Sequence, residues 1–135
     1  MTCSLYVLLN NEAPAISNES LAKNLIEYFK NEEDFAVKLE QLPFAKDKSI
    51  ALHWGSWLVR VAYEEGPQVT HDSLEIQFRL QSTTLNLSKI NKRVRIVIGD
   101  DDKQQYTNQI IYLLDYFREI NGTFIYDPQQ NDVLN

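Results

Sequence analysis

Blocks of hydrophobic and polar residues alternate along the start of the chain and predict a strand followed by a helix. Leu5 to Leu9 is an apolar run typical of a buried strand, and the polar residues 10–17 predict a loop. Asn18 is placed to cap a helix that runs from Glu19 to about Lys30. Four residues at helical spacing form the face of this helix that we expect to be buried: Leu21, Leu25, Tyr28 and Phe29.

The middle of the chain predicts three strands. Residues 35–39 alternate between apolar and polar, as a half-buried strand does, and Pro43 ends that strand. Ser49 to His53 and Trp57 to Tyr63 form a predicted hairpin with Trp54-Gly55-Ser56 at its turn. Every second residue from Trp57 to Tyr63 is apolar, so we expect that face of the second arm to meet the core.

The segment from Gln68 to Gln81 is compatible with either a helix or a strand. Its last residues alternate as in a strand, while other apolar residues recur at the spacing of a helix. We favour a helix because Pro67 suits the first helical position. The charges agree with the helix dipole, since Asp72 and Glu75 lie in the first half and Arg79 lies near the end.

The next part of the chain predicts a loop, a strand and a third helix. Residues 82–91 are rich in Ser, Thr and Asn and predict the loop, and the strongly β-branched residues 94–98 predict the strand. Asp102 and Gln105 resemble a capping box that opens a helix ending near Ile120.

The last residues complete the predicted order of elements. Asn121-Gly122 is a helix stop, residues 124–126 predict a final strand, and residues 132–134 are expected to add one more pairing. The order is therefore roughly β-α-β-β-β-α-β-α-β. It predicts a single α+β domain over residues 1–135, with about three helices packed on one face of a largely antiparallel sheet. A ferredoxin-like variant is compatible with this order.

Length and composition fit one globular domain that needs neither disulfides nor metal. The chain has 135 residues, of which 44% are hydrophobic and 24% charged. Its single cysteine, Cys3, excludes an intramolecular disulfide and fits a reducing compartment. No apolar run approaches the length of a membrane helix, and the N-terminus lacks the features of a signal peptide. We therefore expect a cytoplasmic protein without a membrane partner.

The formal net charge of −6 favours a protein partner over a nucleic acid. Phosphate groups are bound by Lys and Arg, whereas an acidic surface permits a basic protein partner. Four residues form the one basic patch in the sequence: Lys89, Lys92, Arg93 and Arg95. Strand alternation places Arg93 and Arg95 on one exposed face, where charge would protect a strand edge, so we expect no nucleic-acid binding.

The sequence predicts no catalytic, cofactor-binding or metal-binding residue. The two histidines, His53 and His71, and the one cysteine lack the spacing of a zinc site. The four glycines are isolated, so there is no phosphate-binding or dinucleotide fingerprint, and Gly-x-Ser-x-Gly does not occur. Asp100-Asp101-Asp102 is the densest group of carboxylates, but it does not have the spacing of a calcium loop. Its simplest role is to cap the helix that follows.

Two features are candidates for binding a protein. Trp54 lies beside a turn, where it either covers the end of the core or anchors an interface, because Trp is enriched at binding hot spots. Acidic side chains are expected to gather on one outer surface that a cationic macromolecule can approach. The predicted partner-binding set is Trp54, Glu64, Glu65, Asp100, Asp101 and Asp102.

The second half of the chain resembles a known class of small bacterial proteins. The stretch from Trp57 to Val69 (WLVRVAYEEGPQV), Asp72-Ser73, Glu75-Ile76 and the closing Tyr126-Asp127-Pro128-Gln129-Gln130-Asn131 are similar to proteins of the toxin-immunity type. The resemblance implies a cytoplasmic protein that binds and neutralises a cognate secreted toxin. It carries over no defined binding residues.

Two other functions remain open at this point. One is a small enzyme that uses His53 or His71 as an acid–base group beside a carboxylate. The other is a structural or regulatory subunit that forms homo-oligomers through an exposed strand edge.

Overall fold

The computed structural model describes residues 3–41, 43, 48–81 and 85–134, which adopt an α+β fold. Within these residues, one sheet contains the strands β1 (Cys3–Leu9), β2 (Phe35–Glu40), β3 (Ser49–Trp54), β4 (Trp57–Glu65), β5 (Lys92–Ile98), β6 (Thr123–Asp127) and β7 (Asp132–Val133). The helices are α1 (Asn18–Tyr28), α2 (Pro67–Leu80) and α3 (Thr107–Arg118). The predicted α+β class, with about three helices and an antiparallel sheet, is confirmed.

The sheet has the strand order β2-β3-β4-β5-β1-β6-β7, and neighbouring strands are antiparallel. Because β5 and β6 flank β1 on either side, the unit β5-α3-β6 is a split βαβ arrangement, as in ferredoxin-like folds. The meander β2-β3-β4 extends the sheet beyond that unit. The short pairing of β7 with β6 is the one predicted for the end of the chain.

The ambiguous segment after Pro67 is the helix α2, as the sequence favours. Helical geometry turns Val69, Ser73 and Ile76 inward and leaves Leu74 and Phe78 on the outer side. Only part of the alternating apolar set is therefore buried, and Phe78 is 79% exposed. Pro67 occupies the first helical position. A backbone N–H there would have no partner inside the helix, so proline costs no hydrogen bond.

The helices cover both faces of the sheet, so the prediction that they pack on one face is wrong. The main core joins α1 and α3 to strand residues such as Val7, Val94 and Ile96. A second cluster lies on the opposite face and consists of Leu8, Ile76, Leu87, Ile90 and Tyr126. Successive side chains of β1 point to opposite faces, and Leu8 is as apolar as Val7. The second face therefore also requires a cover, which α2 and residues 85–90 provide.

The first helix begins differently from the prediction, which assigned the cap to Asn18. Ser17 is the cap: its Oγ accepts the N–H of Ser20 at 3.1 Å, and Ser20 Oγ accepts the N–H of Ser17 at 3.0 Å. Asn18 is the first helical residue, and its Oδ1 accepts the backbone N–H of Tyr63 at 2.8 Å. Its side chain therefore ties α1 to β4 instead of capping the helix.

The prediction that β5 has an exposed basic face is wrong at Arg93. The Arg93 side chain is only 9% exposed, with Nε 2.8 Å from Glu64 and Nη1 2.9 Å from Asp72. Its guanidinium lies 4.8 Å from the centre of the Tyr6 ring. Alternation places Arg93 and Arg95 on one face, as expected, but α2 covers the first of them. An ion pair inside the fold thus joins α2 to the sheet.

We predict that Arg93→Ala lowers the free energy of unfolding by about 3–5 kcal/mol, because two part-buried carboxylates lose their cation. Denaturant unfolding measures this change. Arg95→Ala is the matched control, since Arg95 is 43% exposed and its nitrogen is 3.6 Å from Glu64. The control is expected to cost less than about 1 kcal/mol. An equal loss of unfolding free energy in the two variants would contradict the argument that burial makes Arg93 more important for stability than Arg95.

We predict that Gly122→Ala destabilises the protein by about 2–4 kcal/mol, since left-handed strain and overpacking combine. Gly122 has φ +77°, and an added Cβ would meet the Asn10 side chain and lie 2.6 Å from the backbone N of Ala13. Gly55→Ala isolates the strain, because Gly55 has φ +62° and open space around it. It should cost about 1–2 kcal/mol in the same unfolding measurement. A Gly122 variant no less stable than the Gly55 variant would refute the steric argument.

Candidate functional site

Two acidic runs emerge at the same end of the sheet. Register pairs Phe35, the first residue of β2, with Trp54, and pairs Trp54 with Trp57 across the hairpin. Gly99, which follows β5, donates its N–H to the Leu58 carbonyl at 3.1 Å, beside the same hairpin. The strands that these runs adjoin, β2 and β5, are about 14 Å apart, three strand spacings. We name as the acidic end the six residues Glu32, Glu33, Asp34, Asp100, Asp101 and Asp102.

A continuous group of aromatic rings supports the acidic end. Phe29 of the α1 terminus lies 5.1 Å from Trp54, and Trp54 lies 5.6 Å from Trp57, measured between ring centres. Trp57 stacks on Tyr106 at 4.3 Å with an interplanar angle of 4°. The indole Nε1 of Trp57 donates to the Gly99 carbonyl at 3.1 Å. These contacts connect α1, the hairpin and the segment before α3 as a preformed support.

Trp54 lies inside this support and is only 3% exposed. Of the two roles considered from the sequence, it has the first, since it covers the end of the core. Its Nε1 has no hydrogen-bond partner among the residues that the structure describes. Its side chain contributes to the site through packing with Phe29, Phe35 and Trp57. It is not part of the outer surface.

The structure does not bring Glu64 and Glu65 to the other predicted carboxylates. They end the nine-residue strand β4, roughly 26 Å from Trp57 at its start. Glu64 is 2.8 Å from Arg93 and 3.6 Å from Arg95, so it belongs to an internal ion-pair network. Glu65 accepts a hydrogen bond from the Tyr63 hydroxyl at 2.8 Å. Burial, followed by this bond and the charge of Glu65, raises the pKa of Tyr63 to about 12.

The aspartates after β5 have distinct positions, and the predicted capping box of Asp102 with Gln105 is wrong. Asp101 accepts the N–H groups of Gln105 at 2.8 Å and Tyr106 at 2.9 Å, and α3 begins only at Thr107. A turn therefore separates the aspartates from the helix, and Asp101 organises that turn. Asp100 and Asp102 are exposed and line a depression of about 420 Å³ beside the Trp57–Tyr106 stack.

A second concave feature, not predicted from the sequence, lies where α1 meets α3. Its described lining residues, which we name the tyrosine cleft, are Tyr28, Phe29, Asn31, Glu32 and Tyr112, around about 270 Å³. Tyr28, which we predicted to be buried, is 43% exposed and lies 5.2 Å from the Tyr116 ring. The sequence signal was the acidic run at Glu32, but it did not indicate that two helices would place tyrosines beside it.

Burial and nearby carboxylates affect the ionisable groups of the tyrosine cleft. Burial first, then the carboxylates of Asp115 and Glu119 and the hydroxyl of Tyr112, raises the pKa of the Tyr28 phenol. Glu32 Oε1 is shielded from solvent and has no hydrogen-bond partner among the residues that the structure describes. An unsatisfied carboxylate oxygen is a strong acceptor for a positively charged donor. The described lining of the cleft carries one carboxylate, that of Glu32, and no basic side chain.

The two histidines have different surroundings. His71 Nε2 lies 3.1 Å from Glu75 on the exposed side of α2. His53 is half-buried on β3, and its Nε2 has no hydrogen-bond partner among the described residues. Neither lines the depression beside Trp57 or the tyrosine cleft. Burial, and then the charge of Asp127, raises the pKa of the Cys3 thiol, which disfavours the nucleophilic thiolate.

Neither a cluster of metal-ligating side chains nor a helix that could span a membrane occurs among the described residues. Within these residues, no three His, Cys, Asp or Glu side chains come together in a way that could hold a metal ion. The helices of this part are too short or too polar to span a bilayer.

Comparisons with known proteins give no relative for this chain. A scan against protein-family models finds no match, and searches of curated proteins and of solved structures find no significant similarity.

We predict that Asp101 and Asp102 differ in their effect on stability although they carry the same charge. Asp101→Ala should lower the free energy of unfolding by about 1–2 kcal/mol, because two backbone N–H groups lose their acceptor. Asp102→Ala should change it by less than about 0.5 kcal/mol, as is usual for an exposed side chain. Chemical denaturation of the two variants checks this. The same loss at both positions would show that charge, not turn geometry, governs stability here.

Proposed function

We propose that this protein is a non-catalytic binding module of the immunity type, which binds and neutralises a cognate secreted toxin in the cytoplasm. The observation that carries the proposal is the convergence of two separate acidic runs on one end of the sheet. Each run comprises three consecutive carboxylates, and strand register places them on either side of the same hairpin. The second-half resemblance to immunity proteins agrees with this assignment.

The electrostatics favour a basic protein partner. The six carboxylates of the acidic end have only two lysines close to them in the sequence, Lys30 and Lys103. Lys30 is already 2.6 Å from Glu27. A surface of one sign steers a partner of the opposite sign and raises the association rate, with a smaller effect on final affinity. A toxin that acts on an anionic substrate commonly presents such a basic surface around its active site, so binding there would block access.

The aromatic support suits a rigid recognition surface. Stacked and edge-to-face rings fix the hairpin relative to the turn at Asp101, so the carboxylates of the two runs keep their spacing in the free protein. A preformed surface avoids the entropy cost of ordering loops on binding. The depression beside Trp57 adds a concave surface lined by the exposed Asp100 and Asp102.

We predict that the product of the adjacent gene forms a stable complex with this protein and loses its toxicity when the two are co-expressed. The variant Glu33→Lys/Asp102→Lys reverses one exposed charge in each acidic run. It should lower the association rate at low salt at least tenfold, and the difference should shrink as salt screens the charges. Stopped-flow or surface-based kinetics at several salt concentrations measures this.

The matched control is Glu12→Lys/Glu65→Lys, which makes the same change in net charge at the opposite end of the sheet. Glu12 lies beside Gly122, and Glu65 pairs with Lys92 at the end of β4. The control should change the association rate less than about twofold if the contact is local. An equal reduction in both variants would exclude the acidic end as the docking surface. Absence of a complex with the adjacent gene product would contradict the immunity function itself.

A further inference from the structure

The fold already contains one complete arginine-binding arrangement, formed by its own residues. Arg93 lies over the Tyr6 ring, with its guanidinium carbon 4.8 Å from the ring centre. Two carboxylates, Glu64 and Asp72, accept its N–H groups at 2.8 and 2.9 Å. Aromatic rings and carboxylates together thus hold a guanidinium that is removed from water. These are the groups that arginine recognition requires.

The tyrosine cleft contains the same groups, but the described residues that line it include neither lysine nor arginine. Tyr28 and Tyr112 provide ring surfaces, and each is almost half exposed, at 43% and 45%. Glu32 lines the cleft with a half-buried side chain, and its Oε1 has no hydrogen-bond partner among the described residues. Arg118, the nearby cation on α3, is engaged elsewhere, since it donates to Asp115 at 2.9 Å and to the Leu134 carbonyl at 3.0 Å.

We propose that the tyrosine cleft is a subsite for an arginine side chain of the protein partner, with the guanidinium over Tyr28 or Tyr112 and donating to the Glu32 carboxylate. This inference rests on the proposed function, because it assigns one contact within the docking of a basic partner. Glu32 belongs both to this cleft and to the acidic end, so the subsite adjoins the surface that attracts the partner.

Arginine fits the cleft better than lysine for two reasons. Its planar guanidinium stacks on aromatic rings and is more weakly hydrated than an ammonium group, so it loses less on entering a partly enclosed space. It also presents several N–H donors in one plane, which allows stacking and donation to a carboxylate at the same time. Glu119, whose charge also acts on Tyr28, adds attraction from the α3 side, whereas the charge of Asp115 is already paired with Arg118.

The test uses ethylguanidinium as the probe and the free, full-length protein. Backbone amide shifts are followed by two-dimensional NMR during titration, with sodium chloride and ethylammonium chloride as matched salts. We expect saturable shifts clustered at residues 28–32 and around Tyr112, and weaker, non-saturating shifts with ethylammonium. Non-saturating shifts, or saturable shifts located elsewhere, would overturn the proposal.

Glu32→Gln and Glu33→Gln form a matched pair, because they remove the same charge from neighbouring residues of one turn. Glu32→Gln should weaken ethylguanidinium binding at least fivefold, while Glu33→Gln should change it less than twofold, since Glu33 is exposed and does not line the cleft. The amide spectra also report whether each variant keeps its fold. If both variants weakened ethylguanidinium binding equally, the attraction would be a general effect of charge, and the proposed subsite would be excluded.

The outcome separates this inference from the proposed function. Saturable guanidinium binding without a complex with the adjacent gene product would retain the subsite and exclude the immunity function. A complex with that product, but no saturable guanidinium binding, would retain the immunity function and exclude the subsite. A partner whose affinity is unchanged by Glu32→Gln would likewise dock without using the cleft.

Discussion

The packing of Phe29, Trp54, Trp57 and Tyr106 determines the arrangement at the acidic end of the sheet. These rings come from the end of α1, from both arms of the hairpin and from the segment before α3, and each contacts the next. Large aromatic side chains contribute strongly to burial and restrict the geometry of their neighbours. Because the carboxylates are attached to backbone on either side of this group, their spacing follows from the packing beneath them.

Ion pairing separates the acidic residues of the chain into two kinds. Glu64 and Asp72 hold Arg93 between α2 and the sheet, and removing that cation would leave two part-buried carboxylates without their nearest ion-pair partner. The residues of the acidic end lie near few cations, so their mutual repulsion is reduced mainly by water and salt. Such a concentration of one charge costs some stability, and attraction of a basic partner would give it a use.

Local periodicity in the sequence predicts most helices and strands, but it does not predict which face of the sheet each helix covers. The alternation in β4 predicts its inward face because a strand has a period of two, and Pro67 favours the start of α2 for a reason internal to that helix. The position of α2 on the opposite face depends on Leu8 and Tyr126, which only the assembled sheet brings together. Burial of Arg93 follows from that placement, so the sequence pattern alone could not indicate it.

The same limit applies to the candidate site, and it explains why two of the five predicted carboxylates belong elsewhere. Their acidic character suggested Glu64 and Glu65, but the nine residues of β4 hold them at the end of the strand opposite to the tryptophan hairpin. Antiparallel pairing instead brings Glu33 of one chain segment to the end occupied by Asp102 of another. Glu32 then joins this surface to the tyrosine cleft between α1 and α3. A partner attracted by the field of the acidic end would therefore approach the cleft in a restricted set of orientations, which is how long-range charge and a short-range pocket together produce selectivity.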